Sequence, residues 1–401
     1  LCLYIGASTN FTLMSLSLQR VAVSSLFFVN GFVFANWTSR LPEIQRFFGL
    51  SNSSLGTLLL VAALGALTAM PFAGWLTTTY GTRRIILISG LAFCLFVGLI
   101  PIYPHVYVAG LILYFIGFNS GAMDVAMNGQ AVEVERRYRK AIMSSFHAIF
   151  SIGMALGAGA GALFAKFSIS LPLHFLVIAA LGLVVVWVSY FFLVNDKKSR
   201  QKGSSSGVQF QLPSRAILPL GLIGFCGMSG EGAISDWSAI YMNRVVGQSE
   251  AVSALAFAAF GVSMTLGRLF GDYFTNALGK RRLLILDSLL AILGLGITLL
   301  FAGTFSTLLG FFIAGLGLST VVPIVYSTAG NTPGVSPGSG IAMATTIGYT
   351  GFFIGPPVIG YLGDQVGLRM GLLYVLGLFL TMLILVGIYI QPSTSRKKSR
   401  A

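Results

Sequence analysis

What most limits the fold of this chain is a succession of twelve apolar stretches. They lie roughly at 20–38, 54–77, 85–103, 106–129, 141–165, 172–194, 215–242, 251–274, 283–303, 306–329, 340–362 and 369–390. A helix needs about 20 apolar residues to cross the hydrocarbon core of a bilayer, and each stretch is close to that length or longer. The composition leaves no soluble alternative. Hydrophobic residues make up 55% and charged residues 9% of the chain, whereas soluble globular domains carry about 25% charged residues. The short alternating strands of a membrane barrel do not occur. The 49 glycines, many of them inside the apolar stretches, suit close helix contact in lipid, where no hydrophobic drive draws helices together. The expected fold class is an all-α membrane protein with twelve transmembrane helices in two pseudo-symmetric six-helix bundles.

The net charge is +14, but its distribution is that of a membrane protein rather than a nucleic-acid binder. Basic residues cluster in alternate loops: Arg83–Arg84, Arg136 to Lys140, Lys197 to Lys202, Lys280 to Arg282 and Arg396 to Arg400. Lys and Arg mark the cytoplasmic side. Twelve spans with this alternation place both termini in the cytoplasm of an inner (plasma) membrane, with anionic lipid as the neighbour of the charge. Cys2, Cys94 and Cys226 have neither metal nor disulfide spacing. Residues 1–19 lack a basic start and make a poor signal peptide.

The stretch NDKKSRQKGSSSGVQFQLPS (195–214) is the one long polar interruption, with linker composition. It divides the chain into an N-terminal bundle at 1–194, including a short extension at 1–19, and a C-terminal bundle at 215–391, followed by a basic tail at 392–401. The halves echo each other. GTRRIILIS (81–89) follows the second span and GKRRLLILD (279–287) follows the eighth; SIGMALGAG (151–159) in the fifth resembles TIGYTGFFI (346–354) in the eleventh. Paired halves of this kind are a transporter architecture.

Polar side chains break the apolar spans in a pattern. In GFNSGAMDVAMNGQ (117–130), Ser120, Asp124 and Asn128 fall at i, i+4 and i+8 on one helix face, with Asn119 beside them. An ionisable residue within a membrane span marks an ion or substrate path, and a carboxyl there can hold and release a proton; the alternative is a carboxyl bonded to its neighbours for packing. The seventh span carries Glu231, Ser235 and Ser238 on one face, and Asp236 nearer the outer end. Asn30, Phe34 and Trp37 align in the first span, followed by Arg40, which either pairs with an acid or caps the helix. His147 in the fifth span either relays protons or serves as a structural donor. Tyr326 lies near Ser319, Pro323 and Ser327 in the tenth span, and Thr346 near Thr345 and Tyr349 in the eleventh. Aromatic and amide groups of this mixture stack on and hydrogen-bond a sugar-like solute. Arg268 and Asp272, four residues apart, have ion-pair spacing. Asp287 is expected as a solvated or paired helix-end residue beside Arg281–Arg282.

Twelve helices, a central basic linker and paired G-x-R-R loops resemble the major facilitator superfamily. The family loop motif G-x-L-x-D-(R/K)-x-G-x-(R/K)-(R/K) is matched by GWLTTTYGTRR at Gly74, Leu76, Gly81, Arg83 and Arg84, with Thr78 where the family has Asp. GRLFGDYFTNALGKRR keeps Arg268, Gly271, Asp272 and Gly279 at shifted spacing. The resemblance implies that Gly74, Gly81, Arg83, Arg84, Arg268 and Asp272 serve gating, and that Arg268–Asp272 is either an inner-gate latch or a local staple. The N-S-G-A-M-D-V-A-M-N wording of the fourth span is similar to the fucose-permease-like branch.

No Walker loop, H-E-x-x-H, Cys–His cluster or G-x-S-x-G elbow occurs, so neither direct ATP drive nor catalysis is expected, and no cofactor or metal. The expected activity is secondary active transport of a small polar, sugar-like solute by alternating access. Protons carried by Asp124 and Glu231 drive it, and the chain works as a monomer. Proton-driven efflux of drugs or metabolites is the competing reading, and a non-transporting sensor or scaffold the reading from another class.

Overall fold

The computed structural model describes residues 2–50, 52–102, 105–195, 214–248 and 250–391. The linker residues 196–213 and the basic tail 392–401 lie outside them. Within the described residues the chain is helical throughout, in fourteen helices. These are α1 (Cys2–Thr38), α2 (Leu41–Phe47), α3 (Asn52–Tyr80), α4 (Thr82–Leu99), α5 (Val106–Tyr138), α6 (Met143–Lys166), α7 (Leu171–Phe192), α8 (Leu218–Arg244), α9 (Glu250–Leu278), α10 (Lys280–Leu300), α11 (Thr304–Leu318), α12 (Val321–Ala329), α13 (Pro337–Val366) and α14 (Leu368–Tyr389).

All twelve expected spans are present as helices. Two differences account for the extra elements. A short helix, α2, follows the first span, and the tenth span is divided into α11 and α12 at Ser319–Thr320. Pro323 explains the division. It has no N–H for the carbonyl four residues earlier, that of Ser319, and its ring crowds that carbonyl. Of the expected extension, residues 2–19 are continuous with the first span in α1. Nine segments among the described residues are long and apolar enough to cross a membrane. The other long helices, α8, α9 and α13, are those interrupted by Glu231 and Asp236, by Arg268 and Asp272, and by Thr345 and Thr346.

The chain divides into two compact units, residues 1–214 with 326–346 and residues 215–325 with 347–401. In the first, α3 packs on α5, α1 on α6, and α4 on both α5 and α7. Glycine makes these contacts close. A Cβ at Gly153 would stand 2.4 Å from the Phe28 carbonyl oxygen, and one at Gly31 2.4 Å from that of Phe150, so α1 and α6 meet backbone to backbone. In the second unit one close approach is reciprocal: a Cβ at Gly294 would lie 2.4 Å from the Gly310 oxygen, and one at Gly310 2.6 Å from the Gly294 oxygen. Small residues let helices approach where packing and weak polar contacts must replace hydrophobic drive.

The internal repeat is visible in backbone geometry. Gly81 (φ 85°) precedes α4 and Gly279 (φ 79°) precedes α10. Both adopt the left-handed region open to glycine, each at the matching G-x-R-R loop. Large apolar side chains stand outward on both units, among them Leu111, Leu156, Trp187, Leu293 and Ile388. In water this surface would be a liability; in a bilayer it is the lipid-facing shell.

Candidate functional site

Asp124 lies on α5 opposite the face of Leu111 and Phe115, both exposed on the outside of the unit. Nine residues separate Phe115 from Asp124, a turn of about 180° at 3.6 residues per turn. Every residue from Gly121 to Val132 is buried except Asp124, which is half-buried. The side chain therefore lies on the inner side of the helix, where its Oδ2 is buried. Its Oδ1 accepts a hydrogen bond from Asn128 Nδ2 at 3.1 Å, and Asn128 also donates to the Asp124 carbonyl at 2.9 Å. One turn away, Ser120 donates to Asn30 Oδ1 at 3.5 Å, and the buried Asn30 amide reaches the Met127 sulfur at 3.8 Å. Asn30, Ser120, Asp124 and Asn128 thus form a polar track where α1 meets α5.

Two more expected residues meet in the same unit. The His147 ring lies 5.3 Å from that of Phe27 and 6.0 Å from that of Tyr326. Phe34 and Trp37 pack edge to face at 5.6 Å, with Trp37 buried. Asn119 donates to the Phe115 carbonyl of its own helix at 2.8 Å, and Thr346 to that of Ala342 at 2.7 Å. Those bonds use the side-chain amide of Asn119 and the hydroxyl proton of Thr346 locally.

The expected gating residues of this unit are placed by packing. A Cβ at Gly74 would come 2.6 Å from that of Ala342. Thr78, standing where the family has Asp, shares hydrogen bonds with Ser336 at 3.1 Å and Ser339 at 3.3 Å, so hydroxyls stand where a charge is usual. Arg83 donates to the Tyr190 carbonyl at 2.9 Å and sits 4.3 Å from the centre of that ring. Arg84 is exposed.

Two polar clusters escaped sequence reasoning, and a third extends the acid pairing expected of Arg40. At the α1–α2 turn, buried Arg40 donates to Glu43 Oε2 (Nε, 2.7 Å), His174 Nδ1 (3.2 Å) and the Ile169 carbonyl (3.0 Å). A guanidinium only donates, so His174 is neutral with its proton on Nε2, which donates to Asn36 Oδ1 at 2.9 Å. Arg40 thus pairs with an acid, and it also ties α1, α2 and α7 together. Gln130 on α5 bonds Thr82 Oγ1 at 2.7 Å and both backbone groups of Val194, at 2.9 and 3.0 Å. Glu135 accepts from the backbone N–H groups of Ile142 and Met143, both at 3.0 Å, and from the Ser327 hydroxyl. Each cluster also joins residues distant in sequence, and no local pattern announces those long-range partners. Arg40→Ala strips three acceptors of their donor and is expected to lower stability by about 3 kcal/mol. Thermal melting of the purified protein checks this; Arg84→Ala, at an exposed position, is expected to leave the melt unchanged.

In the second unit, Arg268 and Asp272 stand four residues apart along α9, and Arg268 also makes an ion pair across helices, from Nη2 to Oε1 of Glu231 on α8 at 3.1 Å. Ser235 is half-buried on the same α8 face as Glu231, Ser238 is fully buried, and Asp236 is exposed. Tyr349 packs on Phe352 at 5.8 Å. The reading of Asp287 as a solvated end residue is corrected. It is 3% exposed and accepts a hydrogen bond from Thr320, at the division of the tenth span. Two turns into α10, it faces the neighbouring helices, while Arg281 points elsewhere, to the Gly387 carbonyl at 3.0 Å.

Comparison with known proteins agrees with this architecture. The sequence matches the family model described as Major Facilitator Superfamily over residues 23–349 and 239–401. An uncharacterized MFS-type transporter of Yersinia pestis is 34% identical over 86% of this chain and 89% of its own length. The quinolone resistance protein NorA of Staphylococcus aureus is 26% identical over 81% of this chain and 84% of its own. Among solved structures, the E. coli fucose:proton symporter FucP superposes with a TM-score of 0.76 at 16% identity, covering 93% of this chain and 98% of that one. The chain is therefore a multi-pass membrane protein and a secondary transporter of a small molecule, and it belongs to the Major Facilitator Superfamily.

Proposed function

We propose that this transporter imports a small polar, sugar-like solute together with protons, by alternating access, from an inner (plasma) membrane with both termini in the cytoplasm. The observation that carries the reading is Asp124. It is an acidic residue, half-buried within a membrane span and turned from the lipid face, whose carboxyl is bonded to Asn128 and lies one helical turn from the Ser120–Asn30 pair. A carboxyl that is neutral when loaded avoids moving a charge through a medium of low dielectric. The hydroxyl and amide track is chemistry for a hydroxylated solute, and the fold likeness to a fucose:proton symporter is consistent with it. Glu231 is the second candidate proton carrier.

Efflux of drugs or metabolites is the competing reading, favoured by the similarity to a quinolone resistance protein. A thermal-shift panel of sugars, polyols, carboxylates and lipophilic cations separates the two, because a ligand that binds only the folded state raises its stability. Stabilisation by lipophilic cations alone favours efflux. The solute that stabilises the protein is then given, radiolabelled, to proteoliposomes with and without an alkaline interior. Accumulation is expected with the gradient only; equal accumulation in both removes proton coupling, and a response to a sodium gradient instead reassigns the coupling ion.

A further inference from the structure

Asp287 takes no part in the coupling and gating described so far. It lies seven residues after Lys280, where α10 begins, so it stands about 10 Å into the helix at 1.5 Å per residue. It is 3% exposed, and its hydrogen-bond partner is the buried hydroxyl of Thr320, at the division of the tenth span. Leu283, Leu284 and Ala291, each within about one turn of it on α10, are buried apolar residues. A Cβ at Gly317 on α11 would fall 2.5 Å from the Asp287 carbonyl oxygen and 2.5 Å from the Ala291 nitrogen, so the two helices meet backbone to backbone at the turn that carries the acid. Helices α9, α11 and α14 pack on α10. The described titratable side chains of α9 are Arg268, Asp272 and Tyr273, those of α14 are Arg369, Tyr374 and Tyr389, and α10 itself carries Lys280, Arg281 and Arg282; α11 carries none. Arg268 pairs with Glu231, Arg369 donates to the Leu299 carbonyl and Arg281 to that of Gly387. Among the described residues, no cation lies within ion-pair distance of Asp287.

The internal repeat shows that the fold does not need a carboxyl here. GTRRIILIS and GKRRLLILD set Ser89 at the position of Asp287, and Ser89, equally buried, satisfies itself on its own helix by donating to the Ile85 carbonyl at 2.6 Å. An ionised carboxylate without a cation, in such surroundings, is costly, and one hydroxyl donor does not offset it. The packing of α10 on α11 leaves the smallest cation as the group that neutralises it. We propose that Asp287 is a proton-binding site of the second unit, which holds a proton in the conformation described and releases it where α10 and α11 part at the break in the tenth span. The step is a proton transfer alone: the carboxyl O–H bond breaks, the proton passes to water, and the Thr320 hydroxyl goes on donating to the carboxylate left behind. A bound proton therefore favours the closed seam and its loss the parted one, because linkage is reciprocal. This adds a site to the proton-coupled import proposed above and does not depend on Asp124, which belongs to the other unit.

The test is infrared spectroscopy of the purified full chain at neutral pH, where a protonated carboxyl has a carbonyl band apart from those of carboxylates and amides. The wild type is expected to show such a band and Asp287→Asn to lose it. Asparagine has the same size and keeps an oxygen for Thr320, so this variant is expected to melt near the wild-type temperature. Thr320→Val, of similar shape without the hydroxyl, is expected to move the band to higher wavenumber, because a hydroxyl donor lowers the stretching frequency of the carbonyl it binds; a residue that merely packs would not produce that shift. After transfer to D2O the wild-type band is expected to shift slowly, and faster in Gly317→Ala, whose Cβ wedges the seam. A spectrum with no band that depends on Asp287 overturns the proposal, and immediate exchange in the wild type overturns the link between proton release and the seam. A band lost in Asp124→Asn and kept in Asp287→Asn would overturn this site while supporting the coupling residue proposed above. A band that depends on Asp287, in a protein whose transport ignores a pH gradient, would support this site and overturn coupled import.

Discussion

Asp124→Asn is expected to leave the protein folded and able to exchange solute across the membrane, while abolishing accumulation against a gradient. Asparagine has the size of aspartate and still offers an oxygen to Asn128 Nδ2, the donor that now lies 3.1 Å from Oδ1. What it cannot do is titrate. One pH unit is worth about 1.4 kcal/mol, so one proton per solute supports roughly tenfold accumulation across a one-unit gradient. The variant is expected to bring that ratio to about one. Exchange of labelled for unlabelled solute, which needs no net proton movement, is expected to continue. Loss of exchange as well would make Asp124 a structural residue; full accumulation in the variant would remove it from the coupling path.

The second large effect concerns the packing that positions Asp124. Gly117→Val is expected to prevent assembly of the first unit. A Cβ at Gly117 would fall 1.8 Å from the Ala62 carbonyl oxygen on α3 and one at Gly121 2.8 Å from that of Ala66, while a Cβ at Gly65 on α3 would fall 2.1 Å from the Tyr114 oxygen on α5. The obstacles are backbone atoms in two long helices, so relief requires separating α3 from α5 along their length. The cost is expected to exceed about 4 kcal/mol, the range of severe packing defects. Size-exclusion chromatography and thermal melting of the detergent-solubilised protein read the outcome. Gly296→Ala is the control: it is also a mid-helix glycine, but a Cβ there meets nothing within 4 Å. It is expected to be neutral or slightly stabilising, because alanine is the better helix former. Normal assembly of Gly117→Val would mean that the α3–α5 contact is looser than described.

Span number and repeat were legible because hydrophobicity and backbone punctuation are local. The apolar runs mark the helices, and Gly81 and Gly279 mark equivalent turns through the same left-handed backbone. Pro323 announces the break that it causes one turn earlier. Helical periodicity set Ser120, Asp124 and Asn128 on one face, but the same reading put Ile116, Phe118 and Val125 on the opposite side, and Ile116 and Val125 are buried in the structure, the outward residues being Leu111 and Phe115. Partnerships across helices were not legible. Arg40 meets His174 across 134 residues, and Arg268 meets Glu231 across 37. A helix repeats its faces every turn, so sequence spacing proposes neighbours on the same helix and is silent about the facing one. Asp287 illustrates the same limit. Proximity to Arg281–Arg282 in sequence pointed to a paired end residue, yet rotation by two turns into α10 buries it against Thr320.

The most direct test of the account follows protons rather than solute. Proteoliposomes in weakly buffered medium, with no initial gradient, receive the solute identified by thermal shift while a pH electrode records the exterior. The account predicts a solute-induced alkalinisation as protons enter with the solute, present in the wild type and absent in Asp124→Asn. Solute uptake by the wild type with no proton movement, or an equal alkalinisation by both proteins, would contradict it.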